Sequence, residues 1–470
     1  MSKGRELLKN SAILIVAKIA TTFVSFLLMP LYTAILTTEE YGESDVYSSL
    51  SMILLPLLTL QIEMSLFRFF ISDKDKAEKR KTVTSAFCVM TICLGGATMI
   101  YLAITSFVMV KYRFILLMYY STLALFTMLL QGARAKGDNL CYGMATFLGS
   151  FVSILMNLLL VAWLRYGVLG ILIAQIVSNI LTSIYILLHT RILGYFQVSS
   201  FEYEKCKKML NYSVPLIFNQ ISSWVMNYSD RLIVLRLLNM GMNGIYAVAN
   251  KFSNILMMLF NMYTIAWTEN IIRSIDSENN EKYLSKVLNL SFNVYLVVIT
   301  GIINLMPFVF NWLINEAYAE AYPHIPLLLI ATFFYGIAAM FGCIYIAYGK
   351  TKSVSLTSTV AALINVIVHL LLVRPIGLYA ASISTIVSFF MMFSYRYMDV
   401  RKFCAVRIEI KSVISTIVIS LISCGAYWSR KPIFIVGGFI LNILNIICIT
   451  ANHKQMLCLM RDSIKKKYKP

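Results

Sequence analysis

Charged residues are scarce in this chain: Asp, Glu, Lys and Arg make up only 13% of its 470 residues, whereas 59% are hydrophobic. A soluble domain of this size carries about twice that charged fraction. The nine cysteines show neither a paired spacing nor a metal-ligand spacing. We expect no cleavable signal peptide, since the apolar run after Lys9 is too long and no small-residue cleavage site follows it. These absences exclude an ordinary soluble domain and a disulfide-rich secreted one.

Motifs of enzyme chemistry are missing as well. The sequence has no Walker motif, no paired-acid glycosidase pattern and no glycine-rich phosphate loop. The segment YGKTKS at 348–353 contains Gly-Lys-Thr but lacks the preceding glycine of a phosphate-binding loop. We therefore expect no catalysis, no cofactor and no metal site.

Long apolar runs recur along the whole chain instead. Each is close to the roughly 20 residues that a helix needs to cross a bilayer, and a helix pairs its own backbone groups inside lipid. The sequence thus predicts an all-α polytopic membrane protein with about 14 transmembrane helices. The predicted spans are 11–36, 44–71, 82–110, 114–133, 140–164, 167–190, 209–236, 244–272, 285–313, 326–348, 353–373, 376–397, 411–429 and 431–451.

Lysine and arginine cluster in alternate loops between these spans. Most of the 41 basic residues, including the run DKDKAEKRK at 73–81, fall on the side that carries both termini. Two loops of the opposite side, TTEEYGESD and NEAYAEAYPH, carry acids and no Lys or Arg. The positive-inside rule therefore places both termini in the cytoplasm. The same distribution accounts for most of the net charge of +19 without a nucleic-acid partner.

The two halves of the chain resemble each other. Residues 8–60 align with residues 210–262 without gaps, and Gly42 then coincides with Gly244. A second match pairs NLLLVAWLRYGVLGILIAQIVS with HLLLVRPIGLYAASISTIVS. Helices 1–6 thus look like a copy of helices 7–12.

This repeat predicts the architecture. A unit of six helices ends on the side where it began, so both copies have the same orientation. We predict two six-helix lobes, 1–200 and 201–402, related by a pseudo-two-fold axis along the membrane normal. Two extra C-terminal helices and the basic cytoplasmic tail form the remaining segment, 403–470.

Four cations lie inside the first two helices of each half: Lys18, Arg68, Arg231 and Lys251. Lys18 lies about two turns into the first span, where a charge costs roughly 2.5–3.5 kcal/mol. Each cation either faces a cavity or has a structural role. Lys18 and Arg68 can snorkel to the headgroups. Arg231 can pair with Asp230 or with an acid on another helix, and Lys251 can likewise pair with an acid.

Polar residues at helical spacing accompany these cations. They are Thr22, Ser25, Tyr32, Gln220, Trp224, Asn227, Asn250 and Asn254. At this depth polar side chains face a water-filled cavity or the bundle interior, although amides also join helices. Three acids are candidates as well: Asp230, and Glu63 and Glu269, which we expect to be buried. Each is either a partner of a cation or a carrier of a coupling ion.

Four stretches carry a resemblance to a known family: LLKNSAILIVAKI, LTTEEYGESDVY, SLFRFF and YIAYGKTKSVSLTSTVAALINVIVHLLLVRPIGLYAASISTIVS. They resemble the oligosaccharide-lipid flippases, or Wzx-type transporters, of the multidrug/oligosaccharidyl-lipid/polysaccharide exporter superfamily. The resemblance covers nearly the whole chain. It implies a transporter that flips polyprenyl-diphosphate-linked oligosaccharide repeat units from the inner to the outer leaflet by alternating access, for O-antigen, capsule or exopolysaccharide assembly.

The resemblance also implies a site and a location. In the related peptidoglycan lipid flippases, cations on the first two helices of each lobe line the cavity, and by position the four cations named above take that role here. A bacterial cytoplasmic membrane is implied, with membrane lipids, a polysaccharide polymerase and other assembly proteins as candidate partners. Two alternatives stay open: a cation-coupled multidrug exporter, which favours cavity acids, and a non-transporting scaffold of a polysaccharide assembly complex.

Overall fold

The computed structural model describes residues 22–24, 26–275 and 280–452 and, within those ranges, the side chains of all residues but 273, 274, 410–412, 448, 451 and 452. All regular structure in these ranges is helical. In chain order the helices are α1 Thr22–Ile35, α2 Thr38–Thr59, α3 Ile62–Ser72, α4 Lys76–Phe107, α5 Arg113–Ala135, α6 Asn139–Asn157, α7 Gly167–Thr190, α8 Tyr203–Leu237, α9 Met240–Ser274, α10 Asn280–Leu313, α11 His324–Ala347, α12 Thr351–Ile376, α13 Tyr379–Val400, α14 Ile410–Ser429 and α15 Pro432–Asn452.

The predicted all-helical, multi-span fold is confirmed. Every predicted span overlaps one of these helices, although residues 11–21 of the first lie outside the described ranges. Among the described residues, 8 helices are long and apolar enough to cross a bilayer, or 9 if α2 and α3 form one bent span, and α1, α14 and α15 contain shorter apolar stretches. The predicted span limits at 164–167 and 429–431 coincide with helix ends, where Arg165 and Arg430 have positive φ. The span predicted to end at residue 373 continues for three more residues, because α12 runs through Arg374 and Pro375 to Ile376 and stops before Gly377, whose φ is 58°.

The second predicted span is broken rather than continuous. Its first helix, α2, begins at a capping box, in which Thr37 Oγ1 accepts the Glu40 N–H and Glu40 Oε2 accepts the Thr37 N–H. The chain leaves α2 through Leu60 and Gln61, whose φ angles are 50° and 56°, and bends by 55° into α3. Thr59 Oγ1 accepts the Gln61 N–H at 3.2 Å. This bond satisfies a backbone donor at the break, as a helix inside a membrane requires.

The chain forms two compact units, Met1–Ala247 and Val248–Pro470. The core of the first unit lies among α3, α4, α5 and α8, with Leu66, Val83 and Leu129 at its centre. In this unit α8 runs antiparallel to α2 and α3, since Trp224 Nε1 donates to Ser49 O at 2.8 Å and Ser65 Oγ donates to Met209 O at 2.6 Å. The predicted domains 1–200, 201–402 and 403–470 were derived from the sequence repeat. The division into compact units does not test them, so they stay a prediction.

Buried amides and hydroxyls join α14 and α15 to α10 in the second unit. Asn304 Nδ2 donates to Ser423 Oγ at 3.2 Å and to Gly438 O at 3.0 Å. The hydroxyls of Thr300 and Ser420 lie 2.6 Å apart. Hydrogen bonds of this kind hold helices together in lipid, where burying an apolar face against another helix gains little. The two C-terminal helices are therefore firmly attached to α10.

Candidate functional site

The polar face of the first helix is only partly within the structure. Lys18 and Ser25 lie outside the described residues, whereas Thr22 is half-buried and Tyr32 is buried. Tyr32 Oη donates to Asn157 Oδ1 at 2.8 Å. Asn157 ends α6 just before a π-helical turn, Leu158–Trp163. The Tyr32 hydroxyl thus joins α1 to α6.

Arg68 is exposed on α3, one turn before that helix ends at Ser72. Its guanidinium carbon lies 4.2 Å from the ring centroid of Tyr212 on α8, a cation–π contact that orients the side chain. No carboxylate of the described residues forms an ion pair with it. Unlike Arg231, Arg68 is therefore a candidate cation whose charge no described carboxylate neutralises.

Arg231 is buried in α8, with only 3% of its surface exposed. Its Nε donates to Asp45 Oδ2 on α2 at 2.8 Å, and its Nη1 donates to Asn227 O at 3.0 Å. The guanidinium also lies 4.9 Å from the Tyr228 ring centroid. A buried charge needs such compensation. Of the two interpretations of Arg231, the structure shows the pair with an acid on another helix; a role towards the cargo stays a prediction.

Arg231 belongs to a junction of α2, α8 and α9, which we call the outer junction and define by Gly42, Asp45, Arg231, Asn243 and Gly244. Asn243 Nδ2 donates to Gly42 O at 3.0 Å. A Cβ on Gly42 would lie 2.1 Å from Met240 O, and a Cβ on Gly244 would lie 2.0 Å from Thr38 O. Only glycine permits this backbone approach. The two glycines that coincide in the sequence repeat are thus in contact.

Sequence reasoning did not single out Asp45 or Asn243. Asp45 and Arg231 are 186 residues apart in the chain, and no periodicity connects two such distant positions. The alignment of Gly42 with Gly244 was the signal that could have led to the junction.

The remaining polar candidates on α8 are Trp224, Asn227 and Gln220. Trp224 is buried, and its indole N–H is the donor to Ser49 O described above. Asn227 Nδ2 donates to Ser223 O at 2.7 Å, one turn back on the same helix. Gln220 is half-buried. The donors of Trp224 and Asn227 are therefore engaged within the first unit.

In the second unit, α9 presents a polar face. Lys251 is half-buried and Asn254 is exposed, and Asn261 is exposed on the same face two turns further on. Asn250 Nδ2 is buried and has no hydrogen-bond partner among the described residues. Exposed amides in the middle of a long span favour contact with water in a cavity over contact with lipid.

The three acids differ in environment. Glu63 is 4% exposed, and its Oε2 has no hydrogen-bond partner among the described residues. Asp230 is also buried, and its Oδ2 accepts the Tyr246 hydroxyl at 3.0 Å. Glu269 is exposed, so the expectation that it is buried was wrong. It continues the exposed face of α9 that carries Asn254 and Asn261.

One group of side chains has the composition of a metal site. Ligand atoms of Asp138, Cys141 and His189 lie within 4.8 Å of one another. Asp138 is the N-cap of α6: its Oδ1 accepts the Cys141 N–H at 2.9 Å, and its Oδ2 lies 3.1 Å from His189 Nε2. Both carboxylate oxygens are thus engaged, and a helix cap explains the cluster.

One comparison with known proteins gives a family, and another gives a fold. A family model described as "Polysaccharide biosynthesis protein" matches residues 7–268. Comparison with curated protein sequences gives no significant match. Among solved structures, the chain is similar to the lipid II flippase MurJ in an inward closed conformation, with a TM-score of 0.68 and 14% identity over 96% of this chain and 100% of that chain.

The chain is also similar to multidrug transporters. An inward-facing multidrug resistance MATE family transporter of the MOP superfamily gives a TM-score of 0.66 and 15% identity over 81% of this chain and 95% of that chain. A point mutant of the Vibrio cholerae MATE transporter VcmN gives a TM-score of 0.56 and 12% identity over 85% of this chain and 96% of that chain. At such low identity these similarities establish the fold alone.

Proposed function

The chain belongs to the polysaccharide biosynthesis protein family, and we propose that it flips polyprenyl-diphosphate-linked oligosaccharide repeat units from the inner to the outer leaflet by alternating access. The flipped units serve cell-surface polysaccharide assembly, as O-antigen, capsule or exopolysaccharide. The multi-pass protein lies in a bacterial cytoplasmic membrane with both termini in the cytoplasm. A polysaccharide polymerase and other assembly proteins are its proposed partners.

The exposed polar face of α9 carries this proposal. Lys251, Asn254 and Asn261 combine a positive charge with amides in the middle of a span. A diphosphate needs cationic donors where solvent is scarce, and sugar hydroxyls need amide partners. One structure with the same fold is described as a lipid II flippase, which is consistent with a lipid-linked cargo.

We assign the diphosphate to the four cations Lys18, Arg68, Arg231 and Lys251. Arg68 supports this assignment best, because no described carboxylate neutralises it. Arg231 is now paired with Asp45. It therefore takes part only in a state in which that ion pair has opened.

Such an opening gives the outer junction a role in alternating access. The junction joins α2 of the predicted N-terminal lobe to α8 and α9 of the predicted C-terminal lobe, near the helix ends predicted to be external. We infer that it is a closed gate, which separates when the cargo leaves on the outer side. The Asp45–Arg231 ion pair, the hydrogen bond from Asn243 to Gly42 and the glycine contact are interactions that must then break.

Among the acids, we assign ion coupling to Glu63. It is buried at the break between α2 and α3, and one of its oxygens has no described partner. Asp230 already accepts a hydrogen bond from Tyr246, and Glu269 is exposed. Glu63 is therefore the acid best placed to take up a proton or a cation during the cycle.

A cation-coupled multidrug exporter is the second candidate, because MATE transporters share the fold and acids lie inside the spans. A non-transporting scaffold is the third. Reconstitution into liposomes with extracted lipid-linked oligosaccharides separates the three candidates. If the chain is a flippase, its activity brings the sugars to the outer leaflet. We then expect an enzyme added outside the liposomes to modify them. Export of ethidium without sugar translocation supports the drug exporter, and movement of neither supports the scaffold.

A further inference from the structure

Asn261 and Tyr335 form a hydrogen-bonded pair that the cation assignments do not use. Tyr335 Oη on α11 donates to Asn261 Oδ1 on α9 at 3.0 Å. Asn261 is exposed and Tyr335 is half-buried. The tyrosine engages only the oxygen of the amide, which still has two N–H donors. The tyrosine oxygen keeps its acceptor capacity, so the pair offers donors and an acceptor side by side.

The pair is held rigidly by its surroundings in the second unit. A Cβ on Gly336, next to Tyr335, would lie 2.6 Å from Phe260 Cδ2 and 2.8 Å from Tyr295 Cε2. The rings of Phe260 and Tyr295 are stacked with centroids 3.8 Å apart. α11 is therefore tightly packed against α9 and α10 beside the pair, which fixes the direction of the tyrosine hydroxyl.

A second contact fixes α11 from the other side. Arg396 on α13 is buried, and its Nη1 donates to Ala338 O at 2.9 Å, one turn beyond Tyr335. The Tyr335 ring also lies 5.2 Å from that of Phe389 on α13. A donor and acceptor placed this firmly bind a ligand without the entropy cost of ordering them first.

We propose that Asn261 and Tyr335 are a subsite that hydrogen-bonds a sugar of the transported headgroup. The inference rests on the proposed function and names the part of the cargo that this site recognises. Sugar hydroxyls both donate and accept, and the pair matches them without carrying charge. Lys251 lies beside this helix face, about 15 Å away along the axis at the helical rise per residue. A diphosphate near Lys251 therefore places its attached sugars along Asn254 and Asn261.

The test measures binding to the purified full-length protein in lipid nanodiscs. The first probe is the polyprenyl-diphosphate-linked oligosaccharide extracted from membranes of the producing cell. The second is polyprenyl diphosphate, which has the same lipid and charge and no sugars. We expect the wild type to bind the intact probe more tightly. Asn261→Ala should lose about 3- to 10-fold in affinity for the intact probe, which corresponds to the loss of one or two hydrogen bonds. It should lose no affinity for polyprenyl diphosphate.

Two further variants make the test specific. Tyr335→Phe removes one hydroxyl, and we expect a smaller loss that is again confined to the intact probe. Asn270→Ala removes an exposed amide from the opposite face of α9 and should change neither affinity. Thermal unfolding of each variant checks that the fold is intact. If Asn261→Ala unfolds, Asn261→Asp replaces it, because aspartate keeps the size of the side chain and lacks its N–H donors.

The outcomes distinguish a failure of the sugar subsite from a failure of the proposed function. A wild-type protein that binds neither probe overturns the proposed function. A wild type that binds both probes equally, or an Asn261→Ala variant that keeps the full preference for the intact probe, overturns the sugar subsite and leaves the flippase proposal standing.

Discussion

Gly42 and Gly244 are in backbone contact: a Cβ on Gly42 would lie 2.8 Å from the amide nitrogen of Gly244. The two residues occupy equivalent positions in the sequence repeat, each in the first turns of its helix. The first turns of α2 and α9 therefore cross at a point where the residue of each helix is glycine. A side chain on either glycine would separate the helices.

We predict that Gly42→Ala and Gly244→Ala each destabilise the protein by about 1–3 kcal/mol, the usual cost of forcing extra atoms into a packed contact. Gly96→Ala on α4 is the matched control, because a Cβ there would meet no neighbouring atom within 4 Å. Alanine is favoured over glycine within a helix by up to about 1 kcal/mol, so the control should be neutral or stabilising. Unfolding midpoints in detergent measure all three; equal midpoints for the three variants would show that the close approach is absent.

The ion pair between Asp45 and Arg231 should behave as a coupled unit. Asp45→Asn leaves Arg231 buried without its counterion, and we expect a loss of about 3–5 kcal/mol. The double variant Asp45→Asn/Arg231→Gln should lose less than the sum of the two single variants. Chemical denaturation of the four proteins completes the double-mutant cycle. Additive losses contradict a direct pair.

The predicted topology is accessible to cysteine labelling. We expect a membrane-impermeant thiol reagent applied to intact cells to label Glu39→Cys, in the first turn of α2 within the segment 37–45 predicted to be external. The reagent should not label Ala77→Cys, in the first turn of α4 within the basic segment 73–81. The loop 315–325 should also be external. Disruption of the membrane should expose Ala77→Cys, and the unsubstituted chain measures background labelling of the native cysteines. The reverse pattern in intact cells rejects the orientation.

The helices could be predicted from the sequence because apolar runs and charged or proline-containing interruptions determine where a chain enters and leaves the bilayer. The break at Leu60 and Gln61 could not be predicted, since neither residue is a helix breaker and packing holds them in the left-handed region.

The candidate site was predictable in part for a similar reason. Helical spacing placed Asn254 on the exposed face of α9 with Lys251. It could not predict the partners of Arg231 or Trp224, which depend on packing between helices distant in the sequence. Asn261 lies two turns beyond Asn254 on α9, but its partner Tyr335 lies 74 residues further along the chain.

Glu63→Gln tests the coupling assignment. Glutamine keeps the size of the side chain and cannot take up or release a proton, so we expect unfolding to change little while flipping loses its response to an imposed proton or sodium gradient. Glu269→Gln, on an exposed acid, is the control and should keep that response. A Glu63→Gln variant driven by the gradient like the wild type removes Glu63 from the coupling mechanism.

Lys18 lies outside the described residues, and its role is predicted from the sequence alone. It shares a face of the first helix with Thr22, Ser25 and Tyr32, which favours a cavity over the headgroups. Lys18→Gln keeps length and hydrogen bonding but removes the charge, so flipping of lipid-linked oligosaccharide should fall while insertion and unfolding stay near wild type. Lys18→Arg should retain more activity than Lys18→Gln, because binding of the diphosphate depends first on the positive charge at position 18 and only then on the geometry of its donors. If Lys18 instead snorkels to the headgroups, the purified Lys18→Gln variant flips lipid-linked oligosaccharide at the wild-type rate. The other cations must then bind the diphosphate.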